Sequence, residues 1–229
     1  MKEIILKVRN LTVELDGEKI IYNLNFSLKQ GEIITILGPN GAGKTVLLKT
    51  LIGIFPYKGK IEWKKGIKIG YVPQRVPYFR EVPITVNDFL NLKKFKKEDF
   101  QRLIKIFEIE ELLNKKLGIL SSGEFQKVLI VWSLLGKPDV LLFDEPTTGI
   151  DEKSKKSIYE ILKELKEKEK LSIILVTHDL SVVSKITDYV ICLNKCPICQ
   201  GKPREVLNPK NLEKLYATEL KFYKHYHGH

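Results

Sequence analysis

No apolar run in this chain approaches the roughly 18 residues that a helical membrane span needs. The longest, Val128 to Leu135, is broken by Ser133, so the polypeptide is not expected to form a channel by itself. Its first residues, Met1-Lys2-Glu3-Ile4-Ile5-Leu6-Lys7, lack the apolar core of about 7 to 15 residues that marks a secretory signal, and the chain is expected to stay in the cytosol. Cysteine is scarce: three residues, Cys192, Cys196 and Cys199, are too few for a disulfide-stapled scaffold. Internal repeats, low-complexity tracts and linker-like segments are also missing, which leaves one folded unit as the expectation.

What is present suits that unit. With 43% hydrophobic and 29% charged residues over 229 positions, the chain can bury a full core at a size where one α/β domain with a subdomain is common. The formal charge of +11 comes from lysines spread over exposed helix faces, such as Lys93-Lys94-Phe95-Lys96-Lys97 and Lys153 to Lys156, often beside glutamate. Dispersed lysines of this kind indicate a solvated face or attraction to an anionic membrane surface, and no nucleic-acid partner is expected.

Ile33-Ile34-Thr35-Ile36-Leu37, Val140-Leu141-Leu142-Phe143 and Ile173-Ile174-Leu175-Val176 are short continuous apolar runs, the pattern of parallel strands buried on both faces. Lys7 to Leu15 and Ile20 to Leu28 flank Asp16-Gly17, which predicts an antiparallel hairpin. Ile158, Ile161, Leu162 and Leu165 recur at helical spacing behind Asp151, a candidate cap, and this helix leads into the strand at Ser172 to Val176 as a crossover does. Between these elements the pattern turns helical. Thr85-Val86-Asn87-Asp88 reads as a capping box, and Phe100, Leu103, Ile104 and Phe107 form an apolar stripe. The expected architecture is therefore an α/β core with a parallel sheet, an N-terminal antiparallel portion and a helical subdomain over about residues 78–135 of the single 1–229 domain.

Three motifs carry chemistry. In Gly38-Pro39-Asn40-Gly41-Ala42-Gly43-Lys44-Thr45, the glycines let the backbone turn tightly and bring N–H groups to phosphate oxygens, and the helix predicted over Lys44 to Gly53 adds its N-terminal dipole. Lys44 should reach the β- and γ-phosphates of a bound nucleotide, and Thr45 should offer its hydroxyl to Mg²⁺. Asp144 and Glu145 stand at the carboxyl end of a buried strand, where ligands gather in open α/β sheets. Asp144 is expected to hold Mg²⁺ through water and Glu145 to deprotonate the attacking water. Ser121, Ser122 and Gly123 precede a helix predicted from Glu124 to Leu135, which makes a second anion site at a helix start. One chain cannot easily bring both anion sites to one nucleotide.

The order of Gly38 to Thr45, Leu120-Ser121-Ser122-Gly123-Glu124, Phe143-Asp144-Glu145-Pro146 and Thr177-His178-Asp179 resembles the nucleotide-binding subunit of an ABC transporter over nearly the whole chain. The resemblance implies that Gln74 contacts Mg²⁺ and the water, and that residues 74–86 face a permease. It further implies that His178 contacts the γ-phosphate. Ser121 to Gly123 would close over ATP held by an opposing copy, giving a head-to-tail homodimer around two ATP with Asp151 lining the interface. Such a subunit works on the cytoplasmic face of the membrane with integral-membrane permease subunits. The sequence departs from the family pattern at Ser122, Glu124 and Gly149, and at Leu15, where an aromatic often stacks on adenine; Tyr22 is the nearby alternative, although an exposed hairpin residue is the expectation for it.

Ile69-Gly70-Tyr71-Val72-Pro73-Gln74, Thr85 to Leu90, Thr187 to Asn194 and Gly201 to Leu207 look like the zinc/manganese branch of metal-ion importers, as does the tail Tyr223-Lys224-His225-Tyr226-His227-Gly228-His229. That likeness adds an extracytoplasmic metal-binding protein as an indirect partner. Cys196-Pro197-Ile198-Cys199 has the spacing of half a zinc site. Reduced thiols in a turn are the expectation for it, and tail histidines would have to fold back to complete it. An ABC ATPase subunit for another substrate remains an alternative, as do two other classes. A soluble ABC protein acting on DNA or ribosomes would carry a coiled-coil insertion or a second cassette. A non-hydrolysing ABC protein would lack Lys44, Glu145 or His178.

Overall fold

In the computed structural model, which describes residues 2–74, 83–145 and 152–216, contacts cluster into two units. One joins residues up to Lys65 with those from Ser172 onward, and the other spans Gly66–Leu171. In chain order the first unit opens with β1 (Ile4–Leu15), β2 (Glu18–Lys29), β3 (Ile33–Leu37), α1 (Lys44–Leu51) and β4 (Lys58–Trp63). The second holds β5 (Ile69–Val72), α2 (Val86–Leu90), α3 (Lys97–Ile106), α4 (Ser122–Leu134), β6 (Val140–Asp144) and α5 (Glu152–Glu169). The chain then returns to the first with β7 (Ser172–Val176), α6 (Leu180–Ile186), β8 (Tyr189–Asn194), β9 (Cys196–Gly201) and α7 (Pro203–Val206), followed by helical residues 209–216.

The Asp16-Gly17 turn forms as expected. Both residues take left-handed φ, 51° and 79°, the requirement of a two-residue turn whose twist matches its flanking strands. β1 sits between β2 and β4, antiparallel to both. The mixed sheet of this unit runs β7-β3-β8-β9, with β7 and β8 parallel to β3 and β9 antiparallel to β8. Every residue of β3 and β7 is buried, as two covered faces demand. The polar groups inside this layer are paired: Thr35 Oγ1 lies 2.6 Å from Thr187 Oγ1, and the Ile33 N–H donates to Asp188 Oδ2 at 2.8 Å. Burying Ile33, Ile34, Ile36 and Leu37 completely contributes about 2 kcal/mol each, enough to fix where β3 ends and the glycine-rich loop begins.

In the second unit β5 and β6 pair in parallel. α4 is tied to this pair through Ser133 Oγ, which donates to the Tyr71 carbonyl at 3.0 Å. Trp132 of α4 stacks on Phe89 of α2 with ring centroids 5.6 Å apart, and the Lys93 ammonium stands 4.0 Å from the Trp132 centroid. The apolar stripe of α3 buries Leu103, Ile104 and Phe107. The Thr85 capping box forms, with the Thr85 hydroxyl accepting from the Asp88 N–H and the Asp88 carboxylate from the Thr85 N–H.

Three local expectations need correction. α1 ends at Leu51 rather than Gly53. α4 begins at Ser122, two residues before the expected Glu124, because Ser121 is its N-cap in a second capping box closed by Glu124. The Cys196-to-Cys199 segment is not a turn of reduced thiols but strand β9. Its pairing on β8 sets Cys199 opposite Cys192 with Cα atoms 4.9 Å apart, where a disulfide joins them and leaves Cys196 as the free thiol. Among the described residues no three His, Cys, Asp or Glu side chains group as a metal site; His225, His227 and His229 lie outside them. Thiol titration of the denatured, unreduced chain should therefore count one thiol, the Cys196 group, and three after reduction. Three before reduction would contradict the pairing.

Candidate nucleotide site

The glycine-rich loop leaves β3 at Leu37 and enters α1 at Lys44. Gly43, its N-cap, sits at φ 92°, and Gly41 at φ 76°, a backbone shape that only glycine holds without strain. The loop is gripped from two sides. A Cβ on Gly38 would stand 2.0 Å from the Leu193 carbonyl oxygen, and one on Gly43 would stand 2.9 Å from that of Ile20. The Lys195 N–H donates to Ala42 O at 3.2 Å, while the Tyr22 N–H donates to Lys195 O at 2.7 Å. The β8–β9 turn thus braces the loop against β2. Pro39 and Ala42 are buried and Asn40 is exposed. Lys44 is only 6% exposed, and its ammonium donates to the Gly38 and Pro39 carbonyls at 2.9 Å each. A desolvated cation inside a loop of backbone dipoles is poised to exchange those carbonyls for phosphate oxygens. Thr45 follows in the first turn of α1.

His178 lies just beyond β7, exposed, in the segment where the Asp179 N–H donates to Thr177 Oγ1 at 3.1 Å. β7 runs parallel to β3 with Val176 opposite Ile36, so His178 and Gly38 leave neighbouring strands at the same edge, where ligands of open α/β sheets bind. Leu15 closes the β1–β2 hairpin opposite Glu18. Tyr22 is 53% exposed, with the Lys19 ammonium 5.4 Å from its ring centroid.

In the second unit Asp144 ends β6 and is 1% exposed. The Tyr71 hydroxyl donates to Asp144 Oδ2 at 3.4 Å. Burial, then the Asp144 charge, pushes the Tyr71 hydroxyl up from its ordinary pKa, so it remains a proton donor. Glu145 takes φ 42°, a conformation uncommon for a side chain of its size and one that recurs at functional positions. Gln74 Nε2 donates to Glu145 Oε2 at 2.9 Å, so two of the predicted site residues meet directly. Ser121, Gly123 and Glu124 line a cleft of about 450 Å³ together with Lys115 and Lys127. Asp151 lies outside the described residues. Sequence reasoning missed Tyr71, Lys115 and the Leu193–Lys195 brace. The Ser121-x-x-Glu124 pattern signals the cap, but no local pattern signals the others.

Known proteins resemble this chain over nearly its whole length. The family model described as ABC transporter matches residues 21–148. The zinc import ATP-binding protein ZnuC of Buchnera aphidicola subsp. Schizaphis graminum is 38% identical over 233 residues, covering 98% of this chain and 97% of that protein. CbiO1 of Clostridium perfringens, part of the ABC transporter complex CbiONQ, superposes with a TM-score of 0.79 at 29% identity, covering 98% of both chains. A bacterial ABC transporter cassette solved as a dimer gives a TM-score of 0.75 at 26% identity, covering 87% of this chain and 99% of that one.

Proposed function

Because the chain belongs to the ABC transporter family and is one of its ATP-hydrolysing subunits, we propose that it powers the import of a divalent transition metal, with zinc the favoured cargo and manganese the second. The observation that carries the cargo is the 38% identity to a zinc import protein over 98% of this chain. The chain works at the cytoplasmic face of a membrane, beside permease subunits fed by an extracytoplasmic metal-binding protein. Among the described residues no helix is long and apolar enough to cross a membrane, which fits a division of labour with a separate permease.

In this reading Gly38 to Thr45 cradle the phosphates of ATP through backbone amides and the Lys44 ammonium. Glu145 accepts the proton of the attacking water, Gln74 orients both, and His178 donates to the γ-phosphate. The Thr45 hydroxyl, the Asp144 carboxylate and the Gln74 amide are hard oxygen donors, the set that Mg²⁺ takes; when bound, Mg²⁺ neutralises charge on the β- and γ-oxygens. Two chains close head to tail on two ATP, each presenting Ser121, Ser122 and Gly123 to the other's nucleotide with Asp151 at the seam. A similar cassette solved as a dimer supports this arrangement.

Metal-starved cells test the cargo. Deleting this subunit should lower zinc uptake, wild-type protein should restore it, and Lys44→Ala should not. Zinc and manganese uptake both unchanged in the deletion strain would remove the cargo reading while leaving the ATPase in place.

A further inference from the structure

The segment from Ser121 to Glu124 carries a charge problem that its own structure addresses. Glu124 puts a carboxylate in the first turn of α4, where Ser121 and the first-turn amides would meet a polyphosphate. A carboxylate suits a helix N-terminus by itself, but beside an incoming anion it competes for the same donors and repels the same charge. Both of its oxygens are nevertheless engaged from within. Oε2 accepts from the Ser121 N–H at 2.8 Å, and Oε1 accepts from the Lys115 ammonium at 3.2 Å. The Glu124 N–H is satisfied by Ser121 Oγ at 3.2 Å. With its acceptor role filled in this way, the Ser121 hydroxyl keeps its proton to donate, and the remaining first-turn amides have no partner inside the helix. Ser121, Glu124, Lys115 and Lys127 line one cleft whose wall also carries Glu108, Glu110 and Glu111, so acidic side chains outnumber basic ones there and Lys115 is the lysine that touches the Glu124 carboxylate. The Glu124 carboxyl is held below the usual carboxylate range first by the Ser121 N–H, with Lys115 adding to it, so the charge is present at neutral pH and has to be compensated.

The main chain of Lys115 is anchored at this spot independently of its side chain's contact with Glu124. Its N–H donates to Leu112 O at 2.9 Å and its carbonyl accepts from the Val86 N–H at 3.0 Å, while the Leu117 N–H donates to Ile84 O at 3.0 Å. The side chains of Lys115 and Glu124 are 44% and 34% exposed, so their pair contributes little to folding. Its effect is to be sought in binding.

We propose that Lys115 is a positioning residue of the Ser121-to-Glu124 segment, one that draws the Glu124 carboxylate aside and offsets its charge so that Ser121 and the α4 N-terminus can accept the polyphosphate of ATP held by a second copy of this chain. The proposal rests on the reading of Ser121 to Gly123 as the cap on a partner's nucleotide. It makes Glu124 tolerable only in the company of Lys115, and the two side chains are therefore coupled in function.

A double-mutant cycle on the purified full-length chain tests it. Lys115→Gln should raise the KM for ATP about tenfold with kcat within about twofold, the size expected for one uncompensated charge near an anion. Lys115→Arg should stay near wild type. Adding Glu124→Gln to Lys115→Gln should bring KM back to within about twofold of wild type, because no bare carboxylate remains. The Lys115→Gln defect should also shrink in about 0.5 M salt, where exposed charges are screened, and the melting temperature should not move. An unchanged KM in Lys115→Gln overturns the proposal. So does a raised KM that Glu124→Gln fails to relieve, since a merely structural lysine would behave that way. Failure of the underlying reading looks different: the wild-type chain would then hydrolyse ATP while the Glu145→Gln chain formed no ATP-dependent dimer, and both ideas would fall together.

Discussion

Glu145→Gln should slow ATP hydrolysis by about 10²- to 10⁴-fold, the range for removing a general base, while leaving ATP binding intact. The two side chains have the same shape, and the replacement retains an amide oxygen that can still accept from Gln74 Nε2, now 2.9 Å from Glu145 Oε2. What is lost is the capacity to take a proton from water. Binding and hydrolysis should therefore separate: the variant should bind ATP, dimerise on it and remain closed, running as a dimer on a sizing column with ATP and as a monomer without it. The φ of 42° at position 145 is tolerated by glutamine about as well as by glutamate, so the melting temperature should shift little. Turnover within a few-fold of wild type would take Glu145 out of the proton-accepting role. Loss of ATP binding would instead mean that the substitution disturbed the end of β6.

The parts of the fold governed by short-range rules were legible. Asp16-Gly17 announced a hairpin because few residues accept two successive left-handed φ values. Thr85 and Asp88 announced a cap because the box needs only their spacing. The continuous apolar runs gave β3, β6 and β7, since burial on both faces leaves no polar alternation to confuse with a surface strand. The start of α4 lies two residues ahead of the expected one although its signal is present: Ser122 and Gly123 are weak helix formers and read as loop, while the Ser121-x-x-Glu124 box overrides that propensity.

What could not be read depends on register and on contacts distant in sequence. The position of Cys199 opposite Cys192 follows from how β9 pairs with β8, including an irregularity between Cys192 and Leu193, whereas cysteine spacing alone suggests reduced thiols in a turn, with half a zinc site as the alternative. The Lys115–Glu124 pair crosses the loop ahead of α4, and nothing in the lysine-rich composition singles out that one lysine. The direct Gln74–Glu145 hydrogen bond joins residues 71 positions apart; the strand-end motif nominated Glu145 and resemblance nominated Gln74, but only the structure sets their side chains in contact.

Gly38→Ala should be the most damaging small substitution in the glycine-rich loop, for a reason that lies outside the loop. The new methyl would fall 2.0 Å from the Leu193 carbonyl oxygen, and the obstacle is backbone, so no rotamer change relieves it. Nor can the β8–β9 turn retreat freely. Leu193 is fully buried, the Lys195 N–H is tied to Ala42 O, the Tyr22 N–H is tied to Lys195 O, and Cys192 is joined to Cys199 one step further along. Overpacking of this kind costs about 3 kcal/mol, which for a chain of this size lowers the melting temperature by about 6–12 °C. Either the brace or the loop has to move. Because the loop carries the Lys44 ammonium on the Gly38 and Pro39 carbonyls, ATP affinity should fall by at least about tenfold, one contact to a charged group being worth that much. ATP should then no longer raise the melting temperature of the variant as it does that of the wild type. Gly136→Ala is the control. Its methyl would find only the Lys93 ammonium at 4.0 Å, so stability and ATP binding should both hold. A Gly38→Ala protein that melts with the wild type and keeps its stabilisation by ATP would show that the β8–β9 turn yields easily, and the brace on the loop would lose its support.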